Sequence, residues 1–376
     1  MEKKPGIKTY LVGGAVRDMV MHKEPKDRDY VVVGATPEYM ISNNFKTVGA
    51  DFPVFLHPET GEEYALARVE RKTGIGYQGF TCEFSPTVTL EEDLYRRDIR
   101  MNAIAFDEET GEYIDPYGGI QDIKDGVIRH VSKHFAEDPL RVLRVARFAA
   151  RYGFTVHADT LKMMTDLVWT DDYASLADER IFTEFMKAMS ETHASKFVQT
   201  IASVGGLAPT FGVIPVDVEI LKIMSNNIDK FSTPEDKLLY LVFSMTGTSL
   251  ERFEEKFKLP ANFKLILEKT NRQYNDFGAY TNAWMDGEKD YVFRGMMRLL
   301  KDMDIVRRPV LLETFLRMMA VYDNDTSFTT FVAECADCVR NALKETTIPD
   351  GLVGKQIKEF MDGVYESAVE RFVYDH

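Results

Sequence analysis

The sequence predicts an α+β protein: a head built on a small mixed sheet with helices, followed by an all-helical body. Short apolar or β-branched runs alternate with helical patterns through the first part of the chain. From Asp138 onward the pattern is helical alone. A chain of 376 residues is long enough for several domains with large buried cores. We expect three parts: a head at residues 1–137, a neck at 138–200, and a body with a tail at 201–376.

The composition is that of a globular protein, with 45% hydrophobic and 28% charged residues. The longest apolar stretches, such as Leu238–Phe243, are far shorter than the ~20 residues that span a bilayer. The N-terminus has no apolar signal region, and three cysteines exclude a disulfide framework. We therefore expect a cytoplasmic protein without a membrane partner. The net charge of −14 argues against a general nucleic-acid binder, so any such contact must come from local basic patches.

The head shows β-type runs bounded by glycine and charged residues, which is typical of strands. The expected strands, in chain order, are Lys8–Val12, Asp29–Val33, Phe52–Leu56, Tyr64–Ala67, Asn102–Phe106 and Val127–Val131. Helices are expected between them at Gly13–His22 and Pro37–Ser42. Together these elements predict a small mixed sheet flanked by helices.

The helical part begins at Asp138-Pro139, where an N-cap residue precedes proline at the first helical position. Within Glu179–Met189, apolar residues recur at helical spacing and define one buried face. Helical periodicity then continues to the C-terminus, broken by turns near residues 204–215, 246–249 and 346–351. No internal repeat or low-complexity segment interrupts it.

Gly13 and Gly14 lie between the first strand and the first helix. Glycines at such a junction allow a tight turn and present backbone N–H groups that attract phosphate. Arg17 lies one turn into the helix, where it can add hydrogen bonds to an anion. A glycine pair alone is more often a plain turn, so its meaning depends on the neighbouring residues.

The second strand begins with Asp27-Arg28-Asp29, and residues i and i+2 of a strand point to the same side. Asp27 and Asp29 can therefore share one face, where their charges repel unless cations lie between them. Two Mg²⁺ ions fit such a pair, one activating an attacking hydroxyl and one holding a triphosphate. A solvated strand edge is the alternative for this motif in isolation. The adjacent glycine turn and arginine favour the metal site.

Five segments, in the same order, resemble the motifs of class II tRNA nucleotidyltransferases of the polymerase-β-type superfamily. The matching segments are Gly13-Gly14-Ala15-Val16-Arg17-Asp18 with Asp27-Arg28-Asp29, Arg96-Arg97-Asp98 with Asn102-Ala103, Asp115-Pro116-Tyr117-Gly118-Gly119, Glu137-Asp138 with Arg141, and Glu179-Arg180 with Glu184. The resemblance implies a polymerase-β-type head followed by a helical neck, body and tail. It also implies a tRNA 3′ end, CTP and ATP as partners.

Choosing CTP and ATP without a nucleic-acid template requires protein hydrogen bonds to the edges of the bases. Asp138 and Arg141 are three residues apart and are expected on one face of a helix. A carboxylate accepts from an exocyclic amino group, which both bases carry, and a guanidinium donates to ring nitrogens or carbonyls. Helix capping by Asp138 is the structural alternative. Arg144 and Arg147, with Arg151 beyond them, continue a basic stripe that we expect to face the nucleotide phosphates and the RNA 3′ end, with a solvated helix face as the alternative. The resemblance places Arg144 at the nucleotide.

Arg97 and Asp98 begin the segment that the family uses at the sugar. Asp98 or Asn102 can hydrogen-bond a 2′-hydroxyl and so separate ribonucleotides from deoxyribonucleotides. One departure from the family pattern is Arg100, which replaces the usual small hydroxyl residue between them.

Residues 67–80 are rich in glycine and mixed in charge, which suits a mobile loop over a site. They resemble the flexible loop of the CCA-adding branch, with Glu70 and Arg71 as its functional residues, where it helps the switch from C to A addition. Enzymes that add only A and bacterial poly(A) polymerases generally lack a matching loop. Its presence favours synthesis of the full CCA.

Two further observations limit the chemistry of the helical part. None of the seven histidines lies between residues 194 and 375, so we expect no HD phosphohydrolase metal site there. Cys335 and Cys338 have the spacing of a zinc half-site, but no second pair of ligands accompanies them. We expect a helical, partly buried cysteine pair without metal.

The sequence thus predicts an enzyme that adds CTP, CTP and ATP to the tRNA 3′ end and releases pyrophosphate. Asp27 and Asp29 would hold two Mg²⁺ ions, and the motif residues described above would bind the nucleotide. A nucleotidyltransferase of narrower range, adding only CC, only A or a poly(A) tail, is the first alternative. A catalytically silent tRNA-binding protein is the second.

Overall fold

A computed structural model describes residues 6–48, 54–72, 80–213, 215–243, 245, 247–323 and 325–376, with the backbone alone for 69–72, 80–84 and 215–217. The chain divides into two compact units, Met1–Gly212 and Val213–His376. The first unit contains the stretches predicted as head and neck, and their separation at residue 137 stays a prediction. The α+β architecture predicted from the sequence is confirmed, with a mixed-sheet head and a helical body.

The first unit is built on a mixed β-sheet. Its strands are β1 (Lys8–Val12), β2 (Asp29–Val33), β3 (Lys46–Val48), β4 (Val54–Leu56), β5 (Glu63–Leu66), β6 (Arg68–Lys72), β7 (Phe80–Phe84), β8 (Ala105–Asp107), β9 (Glu112–Ile114), β10 (Val127–Ile128) and β11 (Thr155–Val156). Seven of them form the main sheet in the order β3-β4-β5-β2-β1-β8-β9. Strand β1 pairs antiparallel with β2 and β8, whereas β2 and β5 are parallel. Two small two-stranded sheets, β6-β7 and β10-β11, lie outside it.

Helices of the first unit cover the sheet and continue beyond it. They are α1 (Gly14–Val20), α2 (Pro37–Ser42), α3 (Leu90–Tyr95), α4 (Gly119–Asp125), α5 (Arg141–Tyr152), α6 (Ala158–Leu167), α7 (Asp171–Ala174), α8 (Asp178–Met189), α9 (Ala194–Ser203) and α10 (Leu207–Phe211). Short 3-10 helices at Arg100–Asn102 and Lys133–Glu137 precede β8 and α5. Helix α5 packs against α8 and α9, so it is largely buried.

The core of the sheet follows from the alternation of side chains along its central strands. Val31 packs into an apolar cluster on one face with Tyr10 and Val12. The next residue, Val32, packs on the opposite face with Met40 and Phe55. Because both faces are covered, β2 is a nearly continuous apolar run. Burial on both faces holds β2 in place, and Asp29 is the first residue of this strand.

The second unit is helical throughout its described residues. Its helices are α11 (Pro215–Ser225), α12 (Pro234–Val242), α13 (Gly247–Phe257), α14 (Ala261–Met285), α15 (Lys289–Asp302), α16 (Pro309–Asp323), α17 (Ser327–Glu345) and α18 (Lys355–Asp375). In the described part of the chain, no helix combines the length and hydropathy needed to cross a membrane. Cys335 is buried and Cys338 is half-buried, both as free thiols on α17, which confirms the predicted helical cysteine pair.

Asp302, the last residue of α15, joins that helix to α14. Its carboxylate accepts hydrogen bonds from Lys269 (2.6 Å), Arg272 (3.0 Å) and Gln273 (2.9 Å). Although burial opposes the charged form, these donors hold the pKa of Asp302 below its ordinary value. These charge-assisted hydrogen bonds therefore link the two helices.

Several predicted elements differ in the structure. The predicted strand Asn102–Phe106 is wrong at its start, because residues 100–102 form a 3-10 helix and β8 begins only at Ala105. The predicted strand at Val127–Val131 ends at Ile128 and pairs with β11 rather than with the main sheet. Within the predicted strand Phe52–Leu56, residues 52 and 53 lie outside the described residues, and β4 covers the rest.

Candidate functional site

The glycine turn leads into helix α1, which places the side chain of Arg17 in the interior of the first unit. Gly13 has φ of +70°, and a Cβ added there would lie 3.2 Å from the Nη1 of Arg97, so glycine permits both the turn and this close approach. Arg17 is only 4% exposed. Its Nη1 donates to the Oδ1 of Asn102 (2.6 Å), and its Nη2 donates to Asp18 (3.0 Å). The arginine is therefore held from two sides.

The two predicted metal-binding carboxylates lie at the start of β2. Asp29 is the first residue of the strand and pairs with Val12 and Glu63, its neighbours on β1 and β5. The prediction that Asp27 also lies on the strand is wrong, because β1 ends opposite Asp29 and leaves the preceding residues without a ladder partner. Asp27 and Asp29 nevertheless line one cavity of about 590 Å³, here called the carboxylate cavity, together with Pro25, Lys26, Arg28, Thr60, Gly61, Glu62 and Glu63.

The surroundings of Asp29 raise the pKa of its carboxyl group. Burial raises its pKa above the ordinary value, and the negative charges of Glu63 and Asp27 raise it further, with Arg97 opposing them. Glu63 was missed by sequence reasoning. The strand register that brings it opposite Asp29 could not be predicted from the sequence alone.

Asp98 is the centre of a buried polar network. Its Oδ1 accepts from the backbone N–H of Ile99 (2.9 Å) and the Nδ2 of Asn102 (3.0 Å). Its Oδ2 accepts from the Nε (2.9 Å) and Nη2 (2.7 Å) of Arg144. Although burial favours the neutral acid, the Arg144 guanidinium holds the pKa of Asp98 well below its ordinary value. Asp98 in turn raises the pKa of Arg144.

A second buried carboxylate, Asp93, holds the arginine pair that follows α3. Its two oxygens accept from Arg96 (3.0 Å) and Arg97 (3.2 Å). Burial opposes the charged form, but the two guanidiniums hold the pKa of Asp93 below its ordinary value. Arg97 also donates to the backbone oxygen of Asn102 (3.2 Å), which ties it to the sugar segment.

Asp138 lies before α5 rather than within it, so the prediction that it caps this helix and shares a helical face with Arg141 is wrong. Its Oδ1 accepts from the backbone N–H of Leu140 (3.1 Å), which forms a local turn, and α5 begins at Arg141. Arg141 donates to the carbonyls of His134 (2.7 Å) and Arg96 (2.8 Å). Arg180 of α8 comes within 3.8 Å of the second oxygen of Asp138.

The predicted basic stripe of α5 divides between two environments. Arg141 and Arg144 face a cavity, whereas Arg147 donates to Glu184 of α8 at 2.6 Å. Both partners of that ion pair are buried. Because α8 covers this side of α5, the prediction that Arg147 faces a nucleotide is wrong. Arg151, at the end of the helix, is exposed.

These segments converge on one cavity of about 470 Å³, here called the arginine cavity. Its lining residues are Gly13, Gly14, Arg17, Asp29, Arg96, Arg97, Asp98, Asn102, Asp138, Leu140, Arg141, Arg144, Phe148 and Arg180. All predicted nucleotide-binding residues are among them. Asp29 lines both this cavity and the carboxylate cavity, so the two adjoin.

Sequence reasoning missed four residues of the arginine cavity: Arg96, Leu140, Phe148 and Arg180. Arg96 and Arg180 stand inside motifs that were recognised, but they were given no role there. The signal that could have found them is their charge beside residues already assigned to a phosphate-rich ligand.

Glu70 and Arg71 are not part of a loop in the described structure. Both lie in β6, where they pair with Cys82 and Thr81 of β7. The prediction of an irregular segment is therefore wrong for these two residues, because the backbone pairs in an antiparallel ladder. Residues 73–79 of the predicted loop lie outside the described residues.

Arg100, the departure from the family pattern, does not line the arginine cavity. Its backbone N–H donates to the carbonyl of Arg129 (2.9 Å), and its charge acts on Asp122 and His130. The Arg100 side chain therefore acts on its neighbours in α4 and at His130, and it is not part of the wall of the arginine cavity.

The donor set at the start of β2 fits a divalent cation. The crowding and burial that raise the pKa of Asp29 would be relieved by a bound cation, and Mg²⁺ is usually held by one or two carboxylates together with substrate phosphates and water. Among the residues that the structure describes, no cluster of three or more histidine, cysteine or acidic side chains could hold a metal by itself. A ligand that brings its own oxygens would complete the coordination.

The sheet, the glycine turn and the adjoining cavities define the class of protein. Residues 9–129 match the poly A polymerase head domain family. The multifunctional CCA protein of Acinetobacter baumannii is 35% identical over 416 aligned positions that cover 98% of both chains. The chain belongs to the family of these CCA proteins, the CCA-adding enzymes. Nucleotidyltransferases of this kind generally use divalent metal ions.

Other relatives match only part of the chain, at higher identity. The multifunctional CCA protein of Pasteurella multocida is 54% identical over 208 residues, which cover 54% of this chain and 49% of that protein. The chain thus matches about half the length of such relatives.

Solved structures of the same fold extend over almost the whole chain. An apo CCA-adding enzyme has a TM-score of 0.70 at 20% identity and covers 98% of this chain and 91% of its own. The Bacillus stearothermophilus CCA-adding enzyme in complex with CTP has a TM-score of 0.61 at 24% identity, covering 97% and 89%. The Thermotoga maritima CCA-adding enzyme complexed with tRNA-CCA has a TM-score of 0.68 at 19% identity, covering 98% and 90%.

Proposed function

We propose that this protein adds C, C and A to the 3′ end of tRNA without a nucleic-acid template, using CTP and ATP and releasing pyrophosphate. The observation that carries this proposal is the meeting of the arginine cavity and the carboxylate cavity at Asp29. A triphosphate placed among the arginines would present its reactive phosphate to the carboxylates. Family membership supports the proposal, as do the CTP and tRNA complexes of proteins with the same fold.

The reaction needs an attacking group and a leaving group at one phosphorus. The 3′-hydroxyl oxygen of the RNA forms a bond to the α-phosphorus, the bond to the β-phosphate oxygen breaks, and the hydroxyl proton is lost to solvent. Asp27 and Asp29 would hold two Mg²⁺ ions, which supply, when bound, the charge that lowers the hydroxyl pKa and stabilises pyrophosphate. Gly13 and Gly14 bring the backbone close to the triphosphate. Arg17, fixed by Asn102 and Asp18, adds positive charge.

Base selection belongs to Asp138, Arg141 and Arg180 in this proposal. Asp138 uses one oxygen for its local turn and keeps the other within reach of an exocyclic amino group. The two backbone carbonyls that accept from Arg141 fix the plane of its guanidinium and leave further N–H groups for the base. The Asp138 carboxylate can accept from the exocyclic amino group of cytosine or adenine, and the fixed Arg141 guanidinium can donate to the neighbouring ring nitrogen. Uracil and guanine are disfavoured, because they carry a carbonyl in place of that amino group.

The sugar contact is best assigned to Asn102. The four donors described above fill the acceptor sites of the Asp98 carboxylate. Asn102 donates one amide hydrogen to Asp98 and has no partner among the described residues for the other. We infer that Asn102 donates to the ribose, Asp98 positions Asn102 and Arg144, and Arg97 and Arg144 contribute positive charge.

The roles of Glu70 and Arg71 in the switch from C to A addition remain predictions from the family resemblance. They lie in the middle and outer part of the β6–β7 ladder, and a ladder that changes position between steps would carry them with it. The cytoplasmic location also stays a prediction, in keeping with a tRNA substrate.

The test is nucleotide addition by the purified protein, with Mg²⁺, to tRNAs that end before, within and after CC. CTP and ATP are supplied separately and together, and products are read at single-nucleotide resolution. Asp27→Asn and Asp29→Asn keep side-chain size and remove charge. Glu112→Gln, an exposed acid of the edge strand β9, is the matched control and should retain full activity.

The expected result is addition of three nucleotides to a tRNA that lacks CCA, lost in both aspartate variants. A stop after CC, addition of A alone, or a long A tail would assign a narrower nucleotidyltransferase. Binding of tRNA without any addition would refute the enzymatic proposal and leave a binding protein.

A further inference from the structure

Two aromatic rings of α5 form a surface beside the arginine cavity. Phe148 and Tyr152 are one helical turn apart, and their rings are nearly parallel, with centroids 6.3 Å apart and an interplanar angle of 10°. Phe148 is buried and lines the cavity. The Tyr152 hydroxyl is buried without a hydrogen-bond partner among the described residues, and burial raises the pKa of Tyr152 to about 12, so the ring stays neutral.

Three guanidiniums gather around the Phe148 ring, and one of them also lies near the Tyr152 ring. The central carbon of Arg17 lies 5.6 Å from the Phe148 centroid and 5.2 Å from that of Tyr152. Arg144 lies 5.7 Å and Arg147 lies 4.6 Å from the Phe148 centroid. The negative face of an aromatic ring attracts cations at such distances. Each ring thus offsets part of the repulsion between arginines that converge on one place.

Each of these three arginines also donates a hydrogen bond to a polar side chain. Arg17 is bonded to Asn102, Arg144 to Asp98, and Arg147 to Glu184. A hydrogen-bonded guanidinium can still swing about its contact, whereas a second contact with a ring restricts that motion. The orientation of Arg17 in the cavity is therefore set by the aromatic rings together with the Asn102 amide. The orientation of Arg144 is set by the Phe148 ring together with the Asp98 carboxylate.

We propose that Phe148 and Tyr152 are positioning residues of the nucleotide site, which hold Arg17 and Arg144 ready for the triphosphate and sugar of the incoming nucleotide. This inference rests on the proposed function for the identity of the ligand. The rings do not touch the reacting atoms in this proposal. They act on affinity for CTP and ATP alike, because the arginines they support do not read the base.

The test uses Phe148→Leu, which keeps an apolar side chain and removes the ring. Binding of CTP and of ATP, each with Mg²⁺ and without tRNA, is measured by isothermal titration calorimetry. We expect the dissociation constants for both nucleotides to rise roughly 3- to 30-fold, the range expected for loss of cation–π contacts. Tyr152→Leu should give a smaller rise, and Phe148→Tyr, which keeps the ring, should restore most of the affinity.

Phe197→Leu is the matched control. Phe197 is fully buried in the same unit and packs on Phe185, and no arginine contact with its ring is described. A purely structural loss would reduce the fraction of binding-competent protein, and so the stoichiometry, in both leucine variants. Only the positioning role raises the dissociation constant in Phe148→Leu alone. Equal dissociation constants in the two leucine variants would overturn the inference.

A double-mutant cycle tests the route of the effect. If Phe148 acts through Arg144 and Arg17, its replacement should weaken CTP binding less in an Arg144→Ala background than in the wild type. Full additivity would contradict the proposed route. Weakened CTP binding in Phe148→Leu, with no nucleotide addition by the wild type, would support this inference and refute the proposed function. A wild type that binds neither CTP nor ATP would overturn both.

Discussion

Replacing Asp98 by asparagine removes one charge from the centre of the buried network and changes little else. The carboxylate accepts four hydrogen bonds, two of them from Arg144 at 2.9 and 2.7 Å. An asparagine can offer one oxygen, so its amide N–H groups must face either the guanidinium or the donors of Ile99 and Asn102. Asp98→Asn therefore leaves a cation without its partner and places donors against donors.

The magnitude follows from burial and geometry. Hydrogen bonds to charged groups contribute ~1.5–3 kcal/mol each, and breaking a fully buried ion pair costs about 3–5 kcal/mol. The Arg144 side chain is 35% exposed, so water recovers part of the loss. We expect the free energy of unfolding to fall by about 2–4 kcal/mol, which is a large fraction of the stability of an ordinary domain.

The assay is urea-induced unfolding of wild type and Asp98→Asn, followed by circular dichroism at several pH values. Because folding lowers the pKa of Asp98, its stabilisation is complete above the unfolded pKa of about 4 and declines as the pH falls below it. The difference between the two proteins should therefore be greatest near neutrality and shrink in acid. Asp159→Asn, whose side chain is 80% exposed, is the control and should unfold like the wild type.

A difference below about 0.5 kcal/mol at pH 7, the usual size for a surface substitution, would refute this reasoning. So would a difference that grows as the pH falls, since that would mean that the carboxyl is protonated in the folded protein.

Three further predictions concern the same unit and the body. Glu184→Gln should lower the free energy of unfolding by about 2–4 kcal/mol because it strips the charge from a buried ion pair, whereas Lys187→Gln, with a side chain 59% exposed, should have almost no effect in the same urea titration. Asp29→Asn should abolish nucleotide addition yet leave the melting temperature without Mg²⁺ unchanged or higher, since burial and like charges already disfavour its carboxylate; a clear fall would contradict this. Gly119→Ala should unfold at a lower urea concentration than the wild type, because the added Cβ would clash with the backbone oxygen of Arg100, while Gly278→Ala, with open space in α14, should gain ~0.5–1 kcal/mol in urea unfolding.

Local sequence patterns correctly predicted several secondary-structure elements around the site. Strands β1 and β2 and helix α2 have the predicted bounds, because glycine and charged residues limit each apolar run. The residues of the glycine turn and the sugar segment meet in the arginine cavity, as the motifs indicated. These parts depend on contacts within about twenty residues or on motifs with a fixed geometry, and both can be read from the chain.

The parts that could not be predicted depend on distant neighbours. Periodicity shows that Arg147 lies on a face of α5, but only the packing of α8 shows that Glu184 covers that face. Similarly, the predicted strand begins at Asn102, but Asn102 closes a 3-10 helix whose first residue, Arg100, donates its backbone N–H to the carbonyl of Arg129, almost thirty residues away. The local sequence pattern does not show such a contact, and tertiary contacts often override strand propensity.

The overall charge was misleading for a related reason. A net charge of −14 argues against binding phosphates, yet six arginines and three aspartates line the arginine cavity. Aspartates such as Asp93 and Asp98 hold these arginines from behind, so acidic residues are needed to build the cationic surface. The composition counts both signs equally, whereas arginines outnumber aspartates two to one on the cavity wall and Asp93 supports two of them from a buried position. The sign of the charge that a binding site presents therefore depends on which member of each ion pair faces the ligand, and the fold determines this.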